Sequence, residues 1–253
     1  MTIETGRCGD GLTWTFDPDE ARLTIAGEGP MWDYARFWED GGTAPPWRGR
    51  ALELAFEGNI TSIGRAAFEG CYIETLEIPG SVKAIGMAAF DECGICELTL
   101  HEGLEFIGEI AFFGNRFRDL TLPSTLEVLG DRAFGGPEGF LEYITMPTGI
   151  AAFGHPNDWT EGGAYIFGEG FQGPRRIDLY GPPPEDWLHW WPVFAFLEGE
   201  IYYPAEWRGR ERTFPDLPDP RYFAHYPDED IRNADEDEYI AQAWIPRVEP
   251  DSI

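Results

Sequence analysis

Lysine is almost missing from this chain. Lys83 is the only one in 253 residues, and 18 Lys and Arg side chains face 46 Asp and Glu, a formal net charge of -28. Binding a phosphate backbone or an anionic bilayer takes basic groups that displace counterions, so this balance excludes nucleic acid and acidic lipid as partners. It favours basic proteins or cations, or else serves solubility alone. Cysteine is scarce too: Cys8, Cys71, Cys93 and Cys96 are too few to staple a chain of this length, so the fold must rest on apolar packing. No apolar run approaches the roughly 18 residues of a membrane-spanning helix, and no membrane insertion is expected. The start, Met1 to Asp10, carries neither a basic n-region nor an apolar h-region, so no secretion signal is expected in this chain.

What the chain does contain points to many short elements. Hydrophobic residues make up 43% and aromatics 15%, enough for a real core. The 31 Gly and 21 Pro are spread evenly, which suits short strands between turns better than long helices.

Internal repetition organises the rest. Ala67-Phe68, Ala89-Phe90, Ala111-Phe112 and Ala133-Phe134 recur at a step of 22 residues. Ile63-Gly64, Ile85-Gly86, Ile107-Gly108 and Leu129-Gly130 keep that step, as do Leu54, Leu76, Leu98 and Leu120, and Ile60, Val82, Leu104 and Leu126. A further copy starts at Ile144 after a two-residue slip and loses its Ala-Phe element between Pro156 and Gly163; a weaker one is read at Ile177 and Leu179. Within a copy, Thr75-Leu76-Glu77-Ile78 alternates as a strand with one buried face. Pro79-Gly80 turns the chain, Val82 to Gly86 is a second extended piece, and Ala88-Ala89-Phe90 is long enough only for a single turn that drives its Phe inward. No copy can bury its apolar face alone, so stability must come from stacking.

The stretch from Leu76 to Cys93, with its equivalents between about residues 52 and 153, resembles the BspA-like (treponemal-type) leucine-rich repeat. Cys8-Gly9-Asp10-Gly11, Leu23 to Gly29 and Pro46-Trp47 resemble the segment that often precedes such repeats. The resemblance implies a bacterial adhesin or recognition module, at the cell surface or secreted, with no catalytic residues and no cofactor.

The expected fold is therefore a β-rich leucine-rich-repeat solenoid with short parallel strands, few or very short helices and caps at both ends. Residues 1–50 read as an N-terminal β-hairpin cap, with Leu12 to Phe16 and Arg22 to Ile25 as its strands. Residues 51–182 hold roughly five to six repeats, 183–214 a C-terminal cap with a strand over Glu200 to Tyr203, and 215–253 an acidic, Pro-rich, loosely ordered tail.

Candidate chemistry is thin. Cys93-Gly94-Ile95-Cys96 has C-x-x-C spacing without a second pair or a nearby His, which favours buried free thiols over a metal site or disulfide. Cys71 and Cys93 share one repeat position and should stack. His101, His155, His189 and His225 are scattered, with no motif-placed nucleophile beside them. Asp228-Glu229-Asp230 lacks the glycine and glutamate of a calcium loop. No metal is expected.

Strand alternation supplies the more useful set. With Leu76 and Ile78 inward, Thr75 and Glu77 face out, as do Glu97 and Thr99, Asp119 and Thr121, Tyr143 and Thr145, and Asp178 and Tyr180. Stacked, they would form an acidic, hydroxyl-rich and aromatic stripe suited to a protein partner, either in surface adhesion or as a basic protein inside the cell; a merely solvated sheet is the alternative. Trp187, Trp190 and Trp191 form either a plug for the last coil, which the open end favours, or a platform for carbohydrate or protein.

Overall fold

The computed structural model describes residues 2–136, 140–154, 166–167 and 173–182, and the backbone of 200–203 and 247–248. Among them the regular elements are strands: β1 (Glu4–Arg7), β2 (Leu12–Asp17), β3 (Arg22–Pro30), β4 (Glu53–Ile63), β5 (Thr75–Ile78), β6 (Ala84–Ile85), β7 (Glu97–Leu100), β8 (Phe106–Ile107), β9 (Asp119–Thr121), β10 (Val128–Leu129), β11 (Tyr143–Pro147), β12 (Ala152–Phe153), β13 (Arg176–Tyr180), β14 (Glu200–Tyr203) and β15 (Arg247–Val248). Each repeat lays one strand in each of two sheets. The first runs β1-β2-β3-β4-β6-β8-β10-β12; the second is formed by β5-β7 and by β9-β11-β13-β14-β15, with β7 adjoining β9. From β3 onward every pairing is parallel, as successive coils require.

The hairpin read from Leu12 and Arg22 is present as antiparallel β2 and β3, and β1 adds an edge strand that no sequence pattern announced. The first repeat departs from expectation. Its two extended pieces fuse into the 11-residue β4. Later copies carry a proline near this point, Pro79 or Pro123, but here Glu57-Gly58 stands instead, so the chain runs on without a forced corner. The two residues of β15 pair with β14 and lie within the segment expected to be loosely ordered. The Ala-Phe element missing from the fifth copy is supplied later. The Phe134 N–H bonds to the carbonyl of Ile166 at 3.2 Å, as the Phe112 N–H bonds to Ala133 at 2.9 Å, so Ile166-Phe167 occupies that place.

Hydrogen bonding shows why the arc between the sheets is so regular. Alternate amides close the turn internally, such as Ala89 N–H to Gly86 O at 3.2 Å. The others reach the next coil: Phe68 to Ala89 at 2.8 Å, Phe90 to Ala111 at 2.8 Å and Glu92 to Phe113 at 2.8 Å. Inside this arc the rings stack. Phe68 and Phe90 lie 5.1 Å apart at 6°, Phe90 and Phe112 5.4 Å apart at 5°, and Phe112 and Phe134 5.8 Å apart at 15°. Those separations track the roughly 4.8 Å spacing of parallel strands, so backbone pairing sets the stack. Burying each ring contributes on the order of 1.5–3 kcal/mol.

Trp47 heads the stack, 5.7 Å from Phe68, with Trp14 and Tyr34 edge-on against it. By the 22-residue step, the donor to the Ala67 carbonyl would be residue 46, a proline with no N–H. The Trp47 indole Nε1 donates there instead, at 2.8 Å. The N-terminal end of the core is thus closed by three aromatic rings and one borrowed hydrogen bond.

Two backbone positions constrain the sequence. A Cβ on Gly86, Gly108 or Gly130 would lie 2.4–2.7 Å from a backbone nitrogen of the preceding coil, so these positions admit no side chain. One turn position is left-handed in three successive coils: Gly70 at φ 67°, Glu92 at 54° and Gly114 at 70°. Of these three, only Glu92 carries a side chain in that conformation, which is strained for L-residues. Glu92→Gly should therefore raise stability by about 1 kcal/mol, or about 2–4 °C in Tm, read by thermal unfolding. A lower Tm would show that the Glu92 side chain contributes more than its backbone strain removes.

Candidate functional site

The outward face of β5, β7, β9, β11 and β13 gathers the residues expected there. Parallel register puts Thr75 beside Glu97 and Glu77 beside Thr99, then Asp119 beside Tyr143 and Thr121 beside Thr145, and Tyr143 beside Arg176 and Thr145 beside Asp178. Thr75, Glu77, Glu97, Thr99, Asp119, Thr121 and Tyr143 are exposed, and Thr145 and Asp178 half-buried. Their inward neighbours Leu76, Ile78, Leu120, Ile144 and Ile177 are in the core. Two parallel rows result. One is Thr75, Glu97, Asp119, Tyr143 and Arg176; the other is Glu77, Thr99, Thr121, Thr145 and Asp178.

Tyr180 behaves differently. It sits beside Pro147, half-buried, and its hydroxyl donates to the Leu122 carbonyl at 2.6 Å. Burial pushes that phenol up to about 12. It ties the β13 coil to the β9 coil, across β11, more than it offers itself to a partner. Two basic residues that alternation alone did not single out also border the face. His101 meets the Glu77 carboxylate at 2.7 Å, and Arg176 pairs with Asp178 at 2.7 Å. The acidic character therefore concentrates on Glu97 and Asp119, with Glu77 and Asp178 each engaged by a basic neighbour. His101 takes the place of Pro79 and Pro123 at the strand end, a position legible from the repeat, but its partner was not.

Upstream of these strands lies a groove of about 620 Å³. Exposed Tyr72 is on its rim with Glu74, Glu92 and Arg116, and Phe117 and Phe134 form its floor. Spacing alone could not reveal it, because its residues come from five successive turns. Trp187, Trp190 and Trp191 lie outside the described residues, as do His155, His189, His225 and Asp228 to Asp230.

The cysteines divide by orientation. Cys93 is buried and its Sγ contacts the Phe68 carbonyl at 3.0 Å; Cys71 does the same to Trp47 at 3.6 Å. Asn115 continues the ladder one coil on, donating to the Phe90 and Phe112 carbonyls at 2.8 and 2.9 Å and accepting from the Ile95 N–H at 2.9 Å. Cys96 is exposed. A C-x-x-C pair with one thiol in the core and the other in solvent does not converge on a shared ion. Burial pushes Cys8 and Cys71 up to about 12 and Cys93 well above the ordinary thiol range. These thiols stay protonated and unreactive. With Ellman's reagent the native protein should show one fast thiol, Cys96, and four after denaturation. Several fast thiols in the native protein would contradict this packing.

Residues 51–156 match the model of the BspA type Leucine rich repeat region family, in 6 copies. None of the curated proteins matches the chain. A leucine-rich repeat protein from Eubacterium ventriosum of known crystal structure shares 21% identity with a TM-score of 0.54, over 72% of this chain and 45% of that one. This chain thus spans less than half of that protein's length. Another, from Bacteroides ovatus, is 17% identical over 78% of this chain and 72% of its own, with a TM-score of 0.26. With the 22-residue step, the two strands per coil and the stacked Phe, residues 51–156 of this chain are a BspA-type leucine-rich repeat region.

Proposed function

We propose that this chain is a non-enzymatic recognition solenoid that holds a protein partner on the outward face of β5, β7, β9, β11 and β13. The observation that carries the reading is the repeated outward placement of Glu77, Glu97 and Asp119 among threonines and Tyr143 on two adjoining parallel ladders, β5-β7 and β9-β11-β13. Solenoids present such extended faces to partners. A net charge of -28 draws basic surfaces toward it and repels acidic ones. The groove beside the sheet offers a place for one bulky side chain of the partner, as an anchor next to a charged field. The repeat family suggests recognition rather than catalysis, and adhesion at a bacterial surface is the setting that fits it.

The test uses the partner captured by the immobilised chain at low ionic strength. Replacing Glu77, Glu97 and Asp119 together by Lys should weaken its binding at least about tenfold, and wild-type binding should fall steeply with salt. The variant should keep its Tm and circular dichroism, since all three side chains are exposed. Unchanged affinity in a folded variant would sink the reading.

A further inference from the structure

We propose that the loop between Arg36 and Trp47 is a second contact surface, presenting Phe37 and Trp38 to a polypeptide segment that is apolar on one side and cationic on the other. This stands apart from the sheet-face reading, and neither requires the other.

Phe37 and Trp38 are 65% and 56% exposed and pack on each other at 4.5 Å, with the rings at 81°. Closing the solenoid does not need them, because Trp47, Trp14 and Tyr34 already seal that end of the Phe stack. Two large aromatic rings left more than half exposed, outside the aromatic seal of the core, form the kind of patch that marks an interaction site.

The loop that carries them is anchored at several points. Arg36 is buried, and its Nε donates to Glu69 Oε1 at 2.7 Å while its Nη2 pairs with Asp91 on the next coil. The Phe37 N–H donates to the other Glu69 oxygen at 3.1 Å, the Arg36 N–H to Glu39 at 3.2 Å, and the Ala35 N–H to the Thr43 carbonyl at 2.9 Å. The Arg36 guanidinium then covers one side of the Trp38 ring, 3.8 Å from its centroid. One cation thus holds two carboxylates and an indole. Burying such a cluster is expensive and gives little stability that apolar packing could not give. What it does give is a fixed orientation for Trp38, so a partner meets a preorganised anchor rather than a floppy one. Tryptophan is the residue type most often found at such anchors.

Charge sets the chemistry of the partner. The cations near the loop are matched: Arg36 by Glu69 and Asp91, Arg65 by Glu39 and Arg50 by Glu4. Asp40 in the loop and Asp33 just before it stand exposed. On a chain of net charge -28 that field disfavours docking by a second copy, which carries the same charge, and favours lysine or arginine flanking an apolar face.

The probes are two labelled synthetic peptides of equal charge, one an amphipathic leucine–lysine helix and the other built from lysine and glycine. Fluorescence anisotropy against the full chain is read at pH 8, where Asp91, pushed by burial up to about 7, is ionised and paired with Arg36. The leucine-containing peptide should bind about tenfold or more tightly than its control. Phe37→Ser with Trp38→Ser should erase that difference without changing Tm, whereas the triple Lys variant of the sheet face should leave the difference in place. Equal binding of the two peptides to the wild type, or a difference that survives the double Ser variant, would overturn the proposal. So would concentration-dependent dimerisation that the double Ser variant abolishes, since the loop would then bind a second copy.

Discussion

Each coil of this protein is completed by the next one. The amides of Phe68, Phe90 and Phe112 find their acceptors one turn onward, at Ala89, Ala111 and Ala133, and the rings attached to them stack in the same direction. A buried amide without an acceptor costs about 1–3 kcal/mol, so no coil is viable without a neighbour. Much of the remaining architecture answers that constraint. The glycines at 86, 108 and 130 leave room for the backbone of the coil before. Cys71, Cys93 and Asn115 reach toward the carbonyls of the preceding turn. At the start, where Pro46 cannot donate, an indole N–H does so.

The same constraint makes the outer surface a consequence of the inner one. Once Leu76, Leu120 and Ile144 are fixed inward, their neighbours must face out in rows one strand spacing apart. Thr75, Glu77, Glu97, Thr99, Asp119, Thr121 and Tyr143 on those rows are exposed and take little part in the core. Irregularity is concentrated where the repeat is interrupted. The loop after Arg36 breaks the step before the first full coil, and it carries two aromatic rings that the core does not use, Phe37 and Trp38. In the reading proposed above, the regular rows would serve as a broad charged face and the interruption as a compact apolar anchor.

Much of this was legible in the sequence because a 22-residue step reports both which residues stack and which alternate. The strands around Leu76, Leu98, Leu120, Ile144 and Ile177, and the hairpin before them, follow directly from spacing. Three features did not. The fused β4 depended on the lack of a proline, which marks a corner only when its neighbours are compared. Ile166-Phe167 restored the missing turn after an insertion, and an insertion erases the spacing that would have located it. The Arg36–Glu69–Asp91 cluster joins residues up to 55 apart, in a loop outside the repeat, where no periodicity applies. Glu69 and Asp91 do share a repeat position, but only the fold shows what lies against them.

Hydrogen exchange, followed amide by amide, tests the dependence of each coil on the next most directly. If the coils stand or fall together, the amides of Phe68, Phe90 and Phe112 in the arc and of Gly86 and Gly108 in the sheet will exchange with one common opening free energy, equal to that of global unfolding. If instead each coil shows its own lower opening free energy, or the three Phe amides exchange as fast as exposed loop amides, the coils are held by their own internal contacts and the stack is not what keeps them folded.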